Sequence, residues 1–226
     1  MCFAPEVSFL VFLIEIILAA IVLVKKPRGK IGTVYLMAAL LLFLLGMYQF
    51  TEFMFCVSGN IALWGLIGFI IYTFLPVIGI HFTCILTEKK EFIRGIFLLY
   101  IIPVLFSTFA IFSENFISGG ACSTIFIRVD RSLGDILFLI YTFYYSIFVI
   151  LIGILFKMTI SEQKSLINKR IYSIGLIGVL SFTIPTLVLI LIFPYLKIVF
   201  PSMMCEFALL FAVSIFFMIH IIDKKA

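Results

Sequence analysis

Glu15, Glu52 and Glu206 are carboxylates embedded in long apolar runs. A charged group inside a hydrocarbon layer is costly and normally faces protein or water, so each is a candidate for binding or for proton exchange. Tyr48 and Gln49 precede Glu52 by four and three residues, and on a helix the three share one face. Tyr141 and Tyr145 form a similar pair at i, i+4. These seven residues suit a polar pocket for a cation or a polar ligand. The competing reading is structural: each Glu is protonated, or hydrogen-bonded to a nearby hydroxyl, and merely joins helices. Glu52 alone could also sit at a membrane surface in water.

Other chemistry is sparse. His81 and Cys84 are one helical turn apart, but no spaced set of His and Cys accompanies them, so no metal site is expected. His220 stands alone near the end of the last apolar run. No HExxH, GxSxG or Walker A pattern is present, and no enzyme activity or cofactor is expected. No Lys lies within the last apolar stretch, which removes the anchor for a retinal Schiff base.

The elements that must position these residues are membrane helices. Of 226 residues, 65% are hydrophobic and 12% charged, against roughly 25% charged in soluble domains. A span needs about 20 apolar residues. Seven stretches qualify: residues 7–24, 31–55, 61–87, 95–113, 135–157, 171–193 and 198–222. The last two are separated by a tight turn at Pro194-Tyr195-Leu196-Lys197, since Pro194 and Pro201 argue against one continuous helix. The first run is too long for a signal-peptide core and is read as a span. The expected fold is therefore all-α: a single seven-helix membrane domain over residues 1–226, multi-pass in a cell membrane.

Charge orients it. Lys25, Lys26, Arg28 and Lys30 fill the first connection, and Lys89, Lys90 and Arg94 the third. Lys157, Lys164, Lys169 and Arg170 fill the fifth, and Lys224 and Lys225 the tail. Those thirteen face only Arg128, Arg131 and Lys197 on the other side. The positive-inside rule then expects the N-terminus outside and the C-terminus in the cytoplasm. The net charge of +5 thus reads as orientation rather than as nucleic-acid binding. All seven pocket candidates fall in the outer half.

The same orientation sorts the cysteines. Cys2, Cys56, Cys122 and Cys205 lie on or towards the outside, and Cys84 near the cytoplasm. A Cys56–Cys122 disulfide could clip the long outer loop, about residues 114–134, to the top of the second helix. Free thiols are the alternative, slightly favoured because spacing alone establishes no pair. Pro76, Pro103 and Pro185 fall inside helices and can kink them. Gly175, Gly178 and Ser181 put small residues at three-residue spacing, where a neighbouring helix can approach.

Several segments resemble the seven-helix N-terminal sensor region of bacterial and archaeal histidine kinases. They are Leu75 to Lys90, with its Pro and His-Phe running into a basic turn; Tyr100-Ile-Ile-Pro103; and the basic stretch Ser161 to Arg170. The Phe193-Pro-Tyr turn and the ending Met218-Ile-His-Ile-Ile-Asp-Lys-Lys225 complete the likeness. The resemblance implies signal reception at the membrane, relay through the last helix to a cytoplasmic or membrane partner, and dimerisation. It carries no kinase activity here, because neither a phosphoacceptor helix nor an ATP site is present in these residues. The expectation is a stand-alone relative or a sensor region without its output. A small transporter or channel using the same glutamates, or an accessory membrane subunit, is the alternative.

Overall fold

A computed structural model describes residues 5–27, 29–114, 116–122, 127–131, 135–192 and 207–225. The expected turn at 194–197, the first part of the expected last span, and Cys2, Arg28, Pro201, Cys205 and Glu206 lie outside the described residues.

Helix α1 (Pro5–Val24) opens on a proline, whose missing amide costs nothing at a first helical position. It stops before Lys25-Lys26-Pro27, and Gly29 turns the chain at a φ of 91°. Helix α2 spans Lys30–Val57. Helix α3 spans Ile61–Leu86, and the Asn60 side chain caps it by accepting the Leu63 amide. The fourth expected span is divided into α4 (Lys90–Leu99) and α5 (Ile101–Phe112). The cause is Pro103, which has no amide for the Leu99 carbonyl and crowds it with its ring. Helix α6 (Asp135–Glu162) runs past its expected end, and α7 (Leu166–Ile192) begins before its expected start. The amphiphilic margins that hydropathy trims are still good helix formers. Helix α8 covers Ala208–Lys225.

Six of the expected spans are long apolar helices: α1, α2, α3, the Gly95–Phe112 stretch, α6 and α7. The long loop between α5 and α6 holds an antiparallel hairpin that hydropathy did not reveal, β1 (Ile117–Cys122) with β2 (Ile127–Arg131). Its strand pattern is the alternation Ile127-Arg-Val-Asp-Arg131, too short to register in a search for spans.

Neighbours in sequence pack as neighbours in space. Helix α1 lies on α2 and α2 on α3; α3 meets α5 and α6; α6 meets α7; and α7 meets α8. Helix α8 returns against α1 and α2, which closes the bundle. The close approach of α7 to α8 uses the small residues seen in the sequence. A Cβ on Gly178 would lie 2.7 Å from the Ser214 Cβ, and one on Gly175 would lie 2.9 Å from the Met218 sulfur. Outward faces remain apolar, as with Leu10, Ile17, Leu105, Ile150 and Leu187, and suit hydrocarbon.

Polar contacts define two ends. Lys25 pairs with Asp223 at 3.5 Å, Lys89 with Glu162 at 2.6 Å, and the Tyr172 hydroxyl donates to the Leu86 carbonyl. These gather the α1–α2, α3–α4 and α6–α7 connections and the end of α8 at one basic end. At the other, Cys56 and Cys122 are joined in a disulfide with their Cα atoms 5.8 Å apart. Ile117 packs there over Gly65.

Candidate functional site

Glu15 lies on the single stripe of α1 that is buried, with Ser8, Ala19 and Val22. Its spacing of four residues from Ala19 and seven from Val22 is the ridge one helix offers another. The residue is 0% exposed, and neither carboxyl oxygen has a hydrogen-bond partner among the described residues. Gly46 of α2 faces it, with no side chain to hold the helices apart.

Helix α2 presents two faces to the protein. Tyr48, Thr51 and Phe55 are buried, and a Cβ on Gly68 of α3 would come 2.8 Å from the Thr51 hydroxyl oxygen. Leu41, Leu45, Gln49 and Glu52 follow one another at four, four and three residues on the side that also bears Tyr48. Gln49 and Glu52 are both buried, so Glu52 does not sit at a wet surface. Six residues separate Gly46 from Glu52, which is about 9 Å along the helix. Glu15 and Glu52 therefore occupy different levels, on different faces of α2. Glu206, the third carboxylate, falls outside the described residues.

Tyr141 and Tyr145 of α6 are buried against α3. Tyr145 stacks on Tyr72 with centroids 4.3 Å apart and planes 8° from parallel. Tyr72 also meets Tyr48 at 5.6 Å and Tyr141 at 6.4 Å, so one ring links all the predicted tyrosines. The Thr73 hydroxyl donates to the Phe69 carbonyl at 2.7 Å, which leaves the Tyr141 hydroxyl to donate to Thr73 at 3.1 Å. The Tyr144 hydroxyl donates to the Thr73 carbonyl at 2.7 Å. These bonds stitch α6 to α3 one turn before Pro76, where the helix ladder loses a donor. Tyr72, Thr73 and Tyr144 were not singled out by sequence. Among 28 Phe and nine Tyr, ring content alone does not distinguish a core aromatic from one facing lipid.

Towards the basic end from this cluster lies a cavity of about 40 Å³. Its walls come from five helices: Leu41 and Leu45 of α2, Leu75, Pro76 and Gly79 of α3, Tyr145, Val149 and Ile152 of α6, Val179 and Phe182 of α7, and Ala208 and Phe211 of α8. Leu45, Leu75 and Tyr145 lie four, three and four residues from Gln49, Tyr72 and Tyr141 on the same helices, about one turn each. Tyr145 belongs to both, since it stacks on Tyr72 and lines the apolar chamber.

His81 stands apart from this site, its Nδ1 3.0 Å from the Tyr100 hydroxyl at the α4–α5 break. Among the described residues no group of three or more His, Cys, Asp or Glu is gathered. The disulfide holds the hairpin over the same end of the bundle as the cluster. Phe116, just before β1, lies 4.8 Å from the Phe69 ring and so roofs the aromatic core. The arrangement gathers ring faces, hydroxyls, an amide and a carboxyl in the end of the bundle beyond the apolar chamber. Compared with protein-family models, with curated proteins and with solved structures, the chain gives no match in any of the three.

Proposed function

We propose that the chain is a seven-span membrane sensor that binds a ligand in the outer half of its bundle and relays the event through α8 to a cytoplasmic partner. Six long apolar helices support a multi-pass protein. By sequence, residues 198–207 are apolar apart from Ser202 and Glu206, and together with α8 they are long enough for a seventh crossing. The basic tracts at one end favour that end as the cytoplasmic one.

The observation that carries the relay is that Ala208 and Phe211 of α8 form one wall of the central cavity. A ligand there touches the last helix directly, and different contacts in two α8 positions are what shift a conformational equilibrium. Fifteen residues from Ala208, Asp223 ties the far end of α8 to Lys25 and to the Tyr35 hydroxyl, each at 3.5 Å. A displacement of α8 at the cavity reaches this latch within one continuous helix.

Two measurements test the proposal. An impermeant thiol reagent applied to intact cells should label Ser118→Cys and spare Lys164→Cys, in a chain whose other unpaired cysteines are Ser. Equal labelling sinks the topology. Glu15→Gln and Glu52→Gln should blunt the response of a co-expressed signalling partner while leaving expression normal. An unchanged response from both variants sinks the pocket.

A further inference from the structure

We infer that the central cavity takes a small, uncharged, apolar molecule of a few heavy atoms, recognised by shape rather than by polar contacts. The inference rests on the reading of this cavity as the place where a ligand meets α8, and it adds the chemical class.

The lining sets the polarity. Of the described residues that form the walls, only Tyr145 bears a polar side-chain atom, and its ring is stacked on Tyr72. The remaining side chains offer only hydrocarbon. A charged or strongly polar guest would give up its water there and find few partners in return. Water itself is a poor occupant, because a buried water needs about two to four polar partners. Apolar chambers of this kind stay dry and receive apolar guests such as benzene or xenon.

Size and closure narrow the class further. The volume of about 40 Å³ exceeds the roughly 10–15 Å³ that one water requires, and it falls well below the roughly 150 Å³ of a chamber that admits benzene. Every lining residue is buried, so the walls leave no open mouth for a lipid tail still joined to its headgroup. A free molecule the size of xenon, or a hydrocarbon of about two or three carbons, fits both limits. Gly79 keeps the space open by omission: a Cβ there would come 2.8 Å from the Ile152 Cδ1, and Ile152 is itself part of the wall. Five helices meet around the space, so filling it adds contacts between α8 and the other four without any hydrogen bond.

The test uses the full chain in lipid nanodiscs equilibrated with xenon and followed by xenon saturation-transfer NMR. Empty nanodiscs report the xenon dissolved in lipid. The native chain should add a second, saturable signal from bound xenon. Val149→Phe and, as a second plug, Ala208→Leu should abolish that signal. Ile152→Ala should enlarge the chamber, so that benzene displaces xenon from this variant and not from the native chain. Bound xenon should also change amide exchange in α8 of the native chain and leave it unchanged in the plugged ones. Correct folding of each variant is read from helical circular dichroism and from the Cys56–Cys122 mobility shift on non-reducing gels.

No signal beyond that of empty nanodiscs overturns the inference, while the response of the Glu15→Gln and Glu52→Gln variants still decides the pocket reading. A bound signal that survives both plugs in folded chains places xenon outside the cavity and overturns it as well. Benzene that displaces xenon equally from the native chain and from Ile152→Ala overturns the size limit. Xenon that binds and is lost in the plugged chains, yet leaves α8 exchange unchanged, supports the ligand class and overturns the relay.

Discussion

Gly46 of α2 presses on Glu15 of α1: a methyl group in place of its hydrogen would sit 3.3 Å from the Glu15 Cβ. The contact seals into the α1–α2 seam a carboxyl that has no hydrogen-bond partner among the described residues. A buried polar group without a partner costs about 1–3 kcal/mol. Glu15→Leu should therefore raise the thermal unfolding midpoint in nanodiscs while lowering the response to ligand. A Glu15→Leu chain that is less stable than the native one would show that the carboxyl has a structural partner.

Gly175 offers the opposite case. It sits under the Phe156 ring and the Met218 sulfur, with the nearest ring carbon 2.6 Å from an added Cβ. Overpacking of this kind costs about 1–3 kcal/mol. Gly175→Val should lower the unfolding midpoint and loosen α7 from α8. Hydrogen exchange of α8 amides should accelerate in step, whereas exchange in α1 should not change.

The hydroxyl of Tyr144 is the cleanest single hydrogen bond to remove. It is buried and reaches the Thr73 carbonyl at 2.7 Å, three residues before Pro76. Tyr144→Phe should cost about 0.5–1.5 kcal/mol. Because the lost bond lies beside the proline, the loss should appear as faster amide exchange in α3 around residues 73–77. A change spread evenly over all helices would argue that the bond has no local role.

The disulfide closes a loop of 66 residues between the end of α2 and the hairpin. Such a bond stabilises by about 2–4 kcal/mol, mainly by restricting the unfolded chain. Cys56→Ser should abolish the mobility difference between reduced and unreduced samples and open the hairpin to protease. The helices should persist, because their burial does not depend on the hairpin. Loss of helical circular dichroism in this variant would contradict that division.

The Lys89–Glu162 pair is short but exposed, with a quarter of the Lys89 side chain and half of the Glu162 side chain open to solvent. Exposed pairs contribute about 0.2–1 kcal/mol and are screened by salt. Glu162→Gln should shift the unfolding midpoint only slightly, and not at all in high salt. A large, salt-insensitive shift would mean that the α3–α4 turn depends on this contact.

How much of this was legible in sequence follows from range. Helix α1 can be judged from one run, Val7 to Val24, because hydropathy sums residue by residue and needs no partner. The gathering of Lys25, Lys89 and Glu162 at one end follows from the alternation of short connections. The break at Tyr100 was partly visible, since Pro103 acts on the residue four before it. By contrast, the pairing of Cys56 with Cys122 was open, because two cysteines so far apart in sequence can take many separations until the chain is folded.

The polar pocket divides in the same way. Tyr48, Gln49 and Glu52 share a helix because their spacing is set by 3.6 residues per turn, and the sequence by itself determined that. It also determined that these groups stand among apolar neighbours, and so at a cost. Only the tertiary structure decided that Glu15 meets Gly46 rather than Glu52, that Tyr72 and not another ring stacks on Tyr145, and that the face bearing Gln49 continues into an apolar chamber. The physical reason is that one apolar helix face resembles another along the chain. Which of them meet is set by close packing between helices far apart in sequence, where a single glycine admits a neighbour that any side chain would exclude.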